Sequence, residues 1–466
     1  MSPTLLIVSL IAAAVPDISG GLARGQPNAA VQWAASASNA APPSAQGLQP
    51  STPADAPLSW ESLDARVEAE AKAGFEGVVL VVREGKEAVH RAFGKANREK
   101  GIAHTTETIF AIGSTPIDFT KAAILRLVQE GKLKLEDPIS RFLPDAPKDR
   151  SAITLAQLLT GRSGLPDFVD QIGDRDPDHA WIDRDEFLKR VFAAPLLFAP
   201  GSGREHSHAA FGVLAAVIEI ASGESYQQFT SSRLFAPAGM NDTGFFGAPI
   251  PEARLAIGYG MRRDGEINAP PAWGRTSWLV MGSGGMTSTV PDMRRWFAAI
   301  RRPDFLDQSL ASRYLPRGEM LAGGDMYGFE ILMTESVTDS PSDPTSLMII
   351  VTNASNSPER RRSFQRFGEA VGGLVLGRAG PTSFTIGIML DMSDEGVVAA
   401  EVLPEGAAAA AGVEAGDRLL TLNGLDLAPN PGGVLAKTLT DGKPVTLVIE
   451  RRGERKSFTI TPKRRS

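Results

Sequence analysis

The chain has 466 residues, of which 42% are hydrophobic and 22% charged, and this length and balance predict two or three folded domains. The net charge of -6 is spread along the chain without a long basic block, which argues against nucleic-acid binding. The chain contains no cysteine, so disulfides, thiolate metal sites and thiol catalysis are excluded. No cofactor is predicted.

The N-terminal segment, residues 1–57, is expected to be a signal-like stretch followed by a disordered tether. Residues 5–15 (LLIVSLIAAAV) form an apolar run of signal-peptide length that is too short to span a bilayer. Residues 16–57 are rich in Ala, Ser, Pro and Gln, so they cannot bury enough surface to offset the entropy of ordering. No later segment is apolar for long enough to cross a membrane. We therefore expect a periplasmic or secreted protein of the bacterial envelope.

The first folded domain is predicted over residues 58–376. It opens with a helical pattern (WESLDARVEAEAKAG), and two β-type runs (EGVVLVV and EAVHRAF) follow around a turn at Gly85. Helical patterns then cover residues 114–130, 155–159, 209–221 and 292–301. Two late strands (YGFEILM and SLMIIVT) precede a last helix over residues 359–376. Helices bracketed by strands from both ends of the domain predict an α+β fold with an antiparallel sheet.

A second, smaller domain is predicted after a linker at residues 377–383 (GRAGPTS). Residues 384–466 contain the short β-type runs FTIGIML, GVVAAEV, DRLLTLNG, VTLVIERR and KSFTITP, with one helix expected over residues 432–439. About 80 residues of this kind make a small, β-rich domain that can fold on its own.

Several motifs in the first domain occur in an order that identifies a family. They are IFAIGSTPIDFTKAAILRLVQEGKLKLEDPISRFLP, ITLAQLLTGRSGLPDF, PGSGREHSHAAFGVLAAVIEIASGESYQQF, LFAPAGMNDTGF and GSGGMTSTVPDMRRW. Together they resemble the serine β-lactamases of the AmpC type and the related penicillin-binding proteins and esterases. The resemblance implies the β-lactamase/transpeptidase fold and an acyl-transfer site with three parts: a serine activated by a lysine, a Tyr-x-Asn element, and a Gly-rich strand led by Lys or His.

The first part of that site is incomplete in this sequence. Ser114 stands at the nucleophile position, at the start of a predicted helix, but the residue three positions on is Ile117. An isoleucine cannot take a proton, and a serine hydroxyl without a base is a poor nucleophile. Lys121 lies seven residues on, nearly two helical turns away, and we expect it to be a solvated charge on the helix face.

The second and third parts are also altered. His206-Ser207-His208 replaces Tyr-x-Asn, and a histidine in the first of these positions can still act as a base. Asp118, one turn from Ser114, allows a Ser–His–Asp arrangement on paper. No histidine or lysine occurs between His208 and Lys437, so the third motif is absent. We further expect that the strand completing the oxyanion hole has been deleted, since the span from YGF to the last strand has room for one hairpin only.

The C-terminal domain resembles a PDZ domain, on the segment EGAAAAAGVEAGDRLLTLNG and the preceding triplet Ile386-Gly387-Ile388. The resemblance implies that this triplet forms the carboxylate-binding loop, and that a protein or peptide C-terminus binds by adding a strand to the sheet edge.

Three functional hypotheses remain open from the sequence. In the first, a non-catalytic or weakly active relative serves as a binding or scaffold protein, with a cell-wall peptide or a small ester or amide in the old cleft. In the second, the protein is an active serine hydrolase that uses Ser114 with His206 or His208 as base. In the third, only the PDZ domain works and the large domain is a spacer. Metal binding is not predicted, because the histidine pair at 206 and 208 has no third ligand in view.

Overall fold

The computed structural model describes a large part of the 466-residue chain with interruptions. The described residues are 58–171, 174, 180–260, 268–315, 318, 320–324, 327–336, 345–355, 357–377, 384–393, 396–427, 434–435, 438–439 and 442–464. The signal-like segment and tether predicted over residues 1–57 lie outside them, as do most of the linker and most of the helix predicted over residues 432–439.

The α-helices of the described chain are α1 to α11 in chain order. They comprise Leu63–Lys72, Pro116–Gln129, Leu155–Leu159, Arg184–Ala193, His208–Ser222, Tyr226–Thr230, Ala236–Ala238, Val290–Ile300, Gln308–Tyr314, Pro358–Val375 and Ala407–Ala411. A π-helical turn, Ser231–Phe235, joins α6 to α7, and short 3-10 turns occur at Ile139–Arg141, Glu252–Arg254 and Pro270–Trp273.

The strands are numbered β1 to β18 in the same way. Those before residue 377 are Gly77–Arg83, Lys86–Phe93, Lys95–Asn97, Ile102–Ala103, Phe110–Ala111, Gly244–Phe245, Met286–Ser288, Leu321–Gly324, Glu330–Glu335 and Leu347–Thr352. Those after it are Phe384–Thr385, Ile388–Ser393, Gly396–Val402, Arg418–Leu422, Leu425–Asp426, Val445–Arg451, Glu454–Ile460 and Lys463–Arg464.

The main sheet of the first domain is five-stranded and antiparallel, in the order β2-β1-β10-β9-β8. β1 reads as an uninterrupted apolar run because both of its faces are buried. The side chains of Val79 and Val81 lie on the face of the sheet that α1 and α10 cover. Those of Val78, Leu80 and Val82 lie on the opposite face, in the larger core shared with the other helices. The alternation follows from the two-residue period of a strand. The predicted α+β class with an antiparallel sheet is confirmed.

Two helices at the centre of the helical region carry most of the predicted site. α2 begins at Pro116, whose fixed φ suits the first turn of a helix, and it packs against α5. α5 is buried on nearly all sides, and it ends at Gly223, which adopts a left-handed conformation with φ 76°. Burial all round explains why its sequence (HAAFGVLAAVIEIAS) is almost wholly apolar.

The C-terminal residues form a separate antiparallel sheet in the order β12-β13-β14-β16-β17, with β15 paired to β14. Its own apolar cluster includes Ile386, Leu390, Ala399, Leu422 and Ile449. β12 therefore stands at one edge of this sheet.

No single helix of the described chain is long and apolar enough to cross a bilayer. One sharply bent pair, His208–Ser222 with Tyr226–Ala238, meets the length and composition requirement only when the two helices are taken together.

Candidate active site

Ser114 lies in the turn that connects β5 to α2. Gly113 takes a left-handed φ of 52°, and the carbonyl of Ser114 accepts the amide of Ile117 at 3.1 Å, which opens the helix. The side chain is half-buried. Among the described residues, no hydrogen bond to the Ser114 hydroxyl is formed by any lysine, histidine or carboxylate. The serine therefore lies at the start of a helix, where the family resemblance places the nucleophile.

Ile117 occupies the next turn of α2, where the family has its lysine. Its side chain is half-buried and packs against the main core. The position therefore contributes apolar contact and offers no proton acceptor to Ser114.

The sequence-based expectation for Lys121 is wrong. Its side chain is only 15% exposed, and its ammonium donates to Asp118 Oδ1 at 3.3 Å. Both residues project from the same side of α2, three positions apart, which is the spacing of neighbours on a helix surface. Within the described chain Asp118 is paired with Lys121, and no hydrogen bond joins it to His206 or His208.

Ser207 anchors the histidine segment at the start of α5. As the N-cap it accepts the Ala210 amide at 3.0 Å, and its hydroxyl donates to the Pro166 carbonyl at 2.7 Å. Serine is a preferred N-cap because its oxygen satisfies one of the free amides of the first turn. Ser207 is buried at 2% exposure and adopts an extended backbone, so His206 and His208 flank a fixed point.

The carboxylate that holds His208 is Asp167, which the sequence reasoning missed. Oδ1 of Asp167 accepts both the backbone amide of His208, at 3.0 Å, and its Nδ1–H, at 2.7 Å. Burial would raise the pKa of Asp167, but these hydrogen bonds and the charges of His208 and His206 outweigh it and lower that pKa. Phe168 stacks on the His208 ring with centroids 4.2 Å apart, which fixes the ring plane.

His206 is the more exposed of the two histidines. Its ring meets that of His208 edge to face, with centroids 4.6 Å apart. Desolvation by the surrounding chain and the neighbouring charge of His208 lower the pKa of His206. The positive charge of Lys121 also lowers this pKa, whereas the negative charges of Asp167 and Glu205 raise it. A neutral imidazole is therefore favoured at this position.

Asp167, His206 and His208 together place one ligand atom each within 4.8 Å of one another. From the sequence alone no third ligand is in view, because Asp167 lies 41 residues before His208 along the chain. A signal was nevertheless present, since Asp167 directly follows the SGLP motif on which the family resemblance rests.

The expectation that the Gly-rich strand is deleted is also wrong. β8 (Leu321–Gly324) forms the edge of the main sheet beside β9, and it precedes β9 along the chain. Its glycines pass directly against the serine turn: a β-carbon on Gly113 would lie 2.2 Å from the Gly324 nitrogen, and one on Gly323 would lie 2.8 Å from the Ile112 carbonyl oxygen. The strand exists, but Leu321 and Ala322 lead into its glycines and no Lys or His does.

The predicted carboxylate-binding triplet precedes the edge strand β12. Gly387 has a left-handed φ of 76°, and its amide donates to Thr385 Oγ1 at 3.0 Å. The carbonyls of Ile386 and Gly387 accept the amides of Ala408 and Leu403, at 2.8 and 2.9 Å. Ile386 and Ile388 are both buried, so the triplet forms a fixed loop at the end of an edge strand.

Comparison with known proteins gives two family matches. The sequence profile of the beta-lactamase family matches residues 63–325, more than half of the chain, and that of the PDZ domain matches residues 377–450.

Individual relatives agree with the first match. The chain is 30% identical over 240 residues to the D-alanyl-D-alanine-carboxypeptidase/endopeptidase AmpH of Escherichia coli, a match that covers 51% of this chain and 60% of AmpH. It is 34% identical over 268 residues to the esterase EstB of Burkholderia gladioli, covering 50% of this chain and 68% of EstB.

Among solved structures, a penicillin-binding protein from Bacillus halodurans superimposes with a TM-score of 0.52 at 26% identity, over 65% of this chain and 97% of that one. With AmpH, the match spans less than two thirds of the relative's length. The serine turn, the helical region and strands β1, β2 and β8 of the main sheet lie within residues 63–325. The chain therefore belongs to the beta-lactamase family, with a PDZ domain at its C-terminal end.

Proposed function

We propose that this family member has lost efficient acyl transfer and acts as a binding or scaffold protein of the bacterial envelope. The observation that carries the proposal is the surroundings of Ser114. Ile117 stands where a lysine would activate the hydroxyl, and no imidazole or carboxylate of the described chain is hydrogen-bonded to it. Without a base to take its proton, a serine hydroxyl is a poor nucleophile and reacts slowly.

The test is covalent labelling of the full-length protein with a fluorescent penicillin and with a fluorophosphonate probe. We expect no labelling above that of Ser114→Ala for either probe, under conditions in which a catalytic family member is labelled to completion. Labelling that depends on Ser114 and approaches one probe per chain would overturn the proposal.

The second candidate is a serine hydrolase of altered mechanism, with Ser114 as nucleophile and His206 as base. The presence of β8 favours it, because the strand brings the Gly324 nitrogen next to the serine turn, where amides can stabilise an oxyanion. Turnover of p-nitrophenyl esters should then fall in both Ser114→Ala and His206→Ala. Hydrolysis that is equal in the wild type and both variants removes this candidate.

We further propose that the PDZ domain binds the C-terminus of a protein or peptide. The edge position of β12 and the fixed loop at Ile386, Gly387 and Ile388 support this, since peptides add to a sheet edge while loop amides hold the terminal carboxylate. Residues 58–376 and 384–466 are the proposed extents of the two domains. A cell-wall peptide or a small ester or amide is the proposed occupant of the hydrolase cleft.

Location in the periplasm or outside the cell is likewise a proposal. It rests on the signal-like residues 5–15 and on the absence of cysteine. A fusion of residues 1–60 to a reporter that is active only after export tests it.

A further inference from the structure

We propose that Asp167, His206 and His208 form a binding site for one divalent transition-metal ion of the Zn²⁺ class. This inference is independent of whether Ser114 reacts. It rests on how the structure assembles the three side chains, on how firmly their backbones are joined, and on the chemistry of the donor set.

The two histidines present their rings to the same place because one extended residue separates them. Ser207 has φ -150° and ψ 110°, so the residues on either side of it project in the same direction. Their rings stand edge to face at 4.6 Å, and a carboxylate oxygen of Asp167 completes a triangle in which every donor atom lies within 4.8 Å of the others.

Three hydrogen bonds join the two chain segments that carry these donors. The Ser207 hydroxyl donates to the Pro166 carbonyl at 2.7 Å, the Ala209 amide donates to the Asp167 carbonyl at 2.8 Å, and the His208 amide donates to the Asp167 carboxylate at 3.0 Å. Phe168 holds the His208 ring from its face. The site is therefore largely assembled before an ion arrives, which reduces the entropy lost on binding.

The distances suit replacement of a proton by a metal ion. A single proton now joins His208 Nδ1 to Asp167 Oδ1, 2.7 Å apart. Two ligands at tetrahedral positions around Zn²⁺, with bond lengths of about 2.0–2.1 Å, are roughly 3.3 Å apart. The Nδ1 and Oδ1 atoms therefore have to move apart by about 0.6 Å to bind the ion, and the half-exposed Asp167 side chain can make this shift.

The donor set selects the class of ion. Two imidazoles and one carboxylate favour Zn²⁺, Co²⁺, Ni²⁺ or Cu²⁺ over Ca²⁺ and Mg²⁺, which prefer oxygen ligands. Three protein ligands leave at least one coordination position for water or an exogenous anion. The positive N-terminus of α5 opposes a cation, but Asp167 and the neighbouring Glu205 supply negative charge, and Lys121 is paired with Asp118.

The test is isothermal titration of the full-length, tag-free, chelator-stripped protein with ZnCl₂, together with the visible absorption of the Co²⁺ form. We expect one Zn²⁺ per chain and a Co²⁺ spectrum with nitrogen and oxygen ligation. Affinity should fall at least about tenfold in each of His206→Ala, His208→Ala and Asp167→Asn. His90→Ala, on β2 and outside the cluster, is the matched histidine control and should bind as the wild type does.

Two results would overturn the proposal: no saturable Zn²⁺ binding, or an affinity that His206→Ala leaves unchanged. His206→Ala keeps the test valid if the other variants misfold, because its side chain makes no hydrogen bond within the described chain and is exposed. Labelling of Ser114 by a fluorophosphonate in the presence of chelator is measured separately. Absence of Zn²⁺ binding would contradict only the metal site, and labelling of Ser114 would contradict only the proposed loss of acyl transfer.

Discussion

Gly113 lies against Gly324 so closely that a β-carbon on Gly113 would stand 2.2 Å from the Gly324 nitrogen and 2.8 Å from its α-carbon. This contact joins the turn that carries Ser114 to the edge strand of the main sheet. The atoms in the way are backbone atoms, which cannot swing aside as the end of a flexible side chain can. The position of the serine turn therefore depends on two glycines that are 211 residues apart in the chain.

The first prediction concerns this contact. Gly113→Ala should lower the free energy of unfolding by about 2–4 kcal/mol, because it adds an overpacking clash of about 1–3 kcal/mol to the strain of a left-handed φ. The measurement is the urea midpoint of the full-length protein. Gly131→Ala is the matched control, since Gly131 also has a left-handed φ, 72°, but a β-carbon there would meet no atom of the described residues within 4 Å. Equal losses in the two variants would show that the contact is not tight.

The second prediction concerns His104, which is buried with 7% exposure and hydrogen-bonded to Asn353 at 3.1 Å. The Asn353 amide nitrogen donates to the carbonyls of Lys95, Ala96 and Ile257, so its oxygen must accept from His104 Nε2–H. Nδ1 is buried and has no hydrogen-bond partner among the residues that the structure describes, and the ring stacks on Phe110. Burial, only partly offset by the Asn353 bond and by Glu76, lowers the pKa of His104 to about 4.

The sign of the pH effect follows from that shift. Below the ordinary histidine pKa of about 6.5, His104 is protonated in the unfolded chain but stays neutral in the folded chain. The free energy of unfolding therefore falls as the pH drops from about 6.5 towards about 4. Between pH 7 and pH 4.5 the wild type should lose about 2–3 kcal/mol more than His104→Gln, which cannot titrate but can still donate to Asn353. Urea unfolding at both pH values measures this difference. Parallel losses in the two proteins would contradict it.

The third prediction restores the missing base. Ile117→Lys returns an amine to the turn of α2 above Ser114, at the position where the family resemblance places the activating lysine. General-base catalysis contributes about 10²–10⁴ in rate, so fluorophosphonate labelling should accelerate at least about tenfold. Ile117→Met controls for the change of shape, and Ser114→Ala in the lysine background controls for the site of labelling. An unchanged rate would mean that the loss of the lysine is not what limits the site.

The fourth prediction concerns the PDZ domain. The Gly387 amide now donates to Thr385 Oγ1, and a peptide carboxylate that replaces this hydroxyl gains a charge-assisted hydrogen bond. Peptides with a free C-terminus selected for binding should therefore lose about tenfold to a hundredfold in affinity when the carboxylate is amidated. Fluorescence polarisation with the full-length protein measures the difference.

A variant of the same loop gives a second readout. Gly387→Val should abolish binding, because Gly387 has a left-handed φ and a β-carbon there would lie 2.8 Å from the Gly406 α-carbon. Gly424→Val is the control: Gly424 also has a left-handed φ, 79°, but no described atom lies within 4 Å of a β-carbon there. Equal binding of acid and amide peptides would exclude capture of the carboxylate by this loop.

Much of the fold can be predicted from the sequence because its signals are local. The β-type run EGVVLVV predicts β1, and the helical pattern over residues 114–130 predicts α2 to within two residues at each end. The absence of lysine at position 117 is likewise a property of one residue, which no packing can change. The family and the PDZ domain followed from motifs that are each contiguous in the chain.

The contacts between distant segments required the tertiary structure. Sequence reasoning assigned Asp118 to a histidine, but helix geometry pairs it with Lys121, and the loop that returns beside α5 brings Asp167 to His208 instead. It also judged the Gly-rich strand deleted, because the span after YGF has room for one hairpin only, whereas β8 precedes YGF along the chain. Hydrophobic period and turn residues report the state of a few neighbouring residues. Which side chains meet depends on how the sheet and the helices close around a common core, and no single stretch of sequence carries that information.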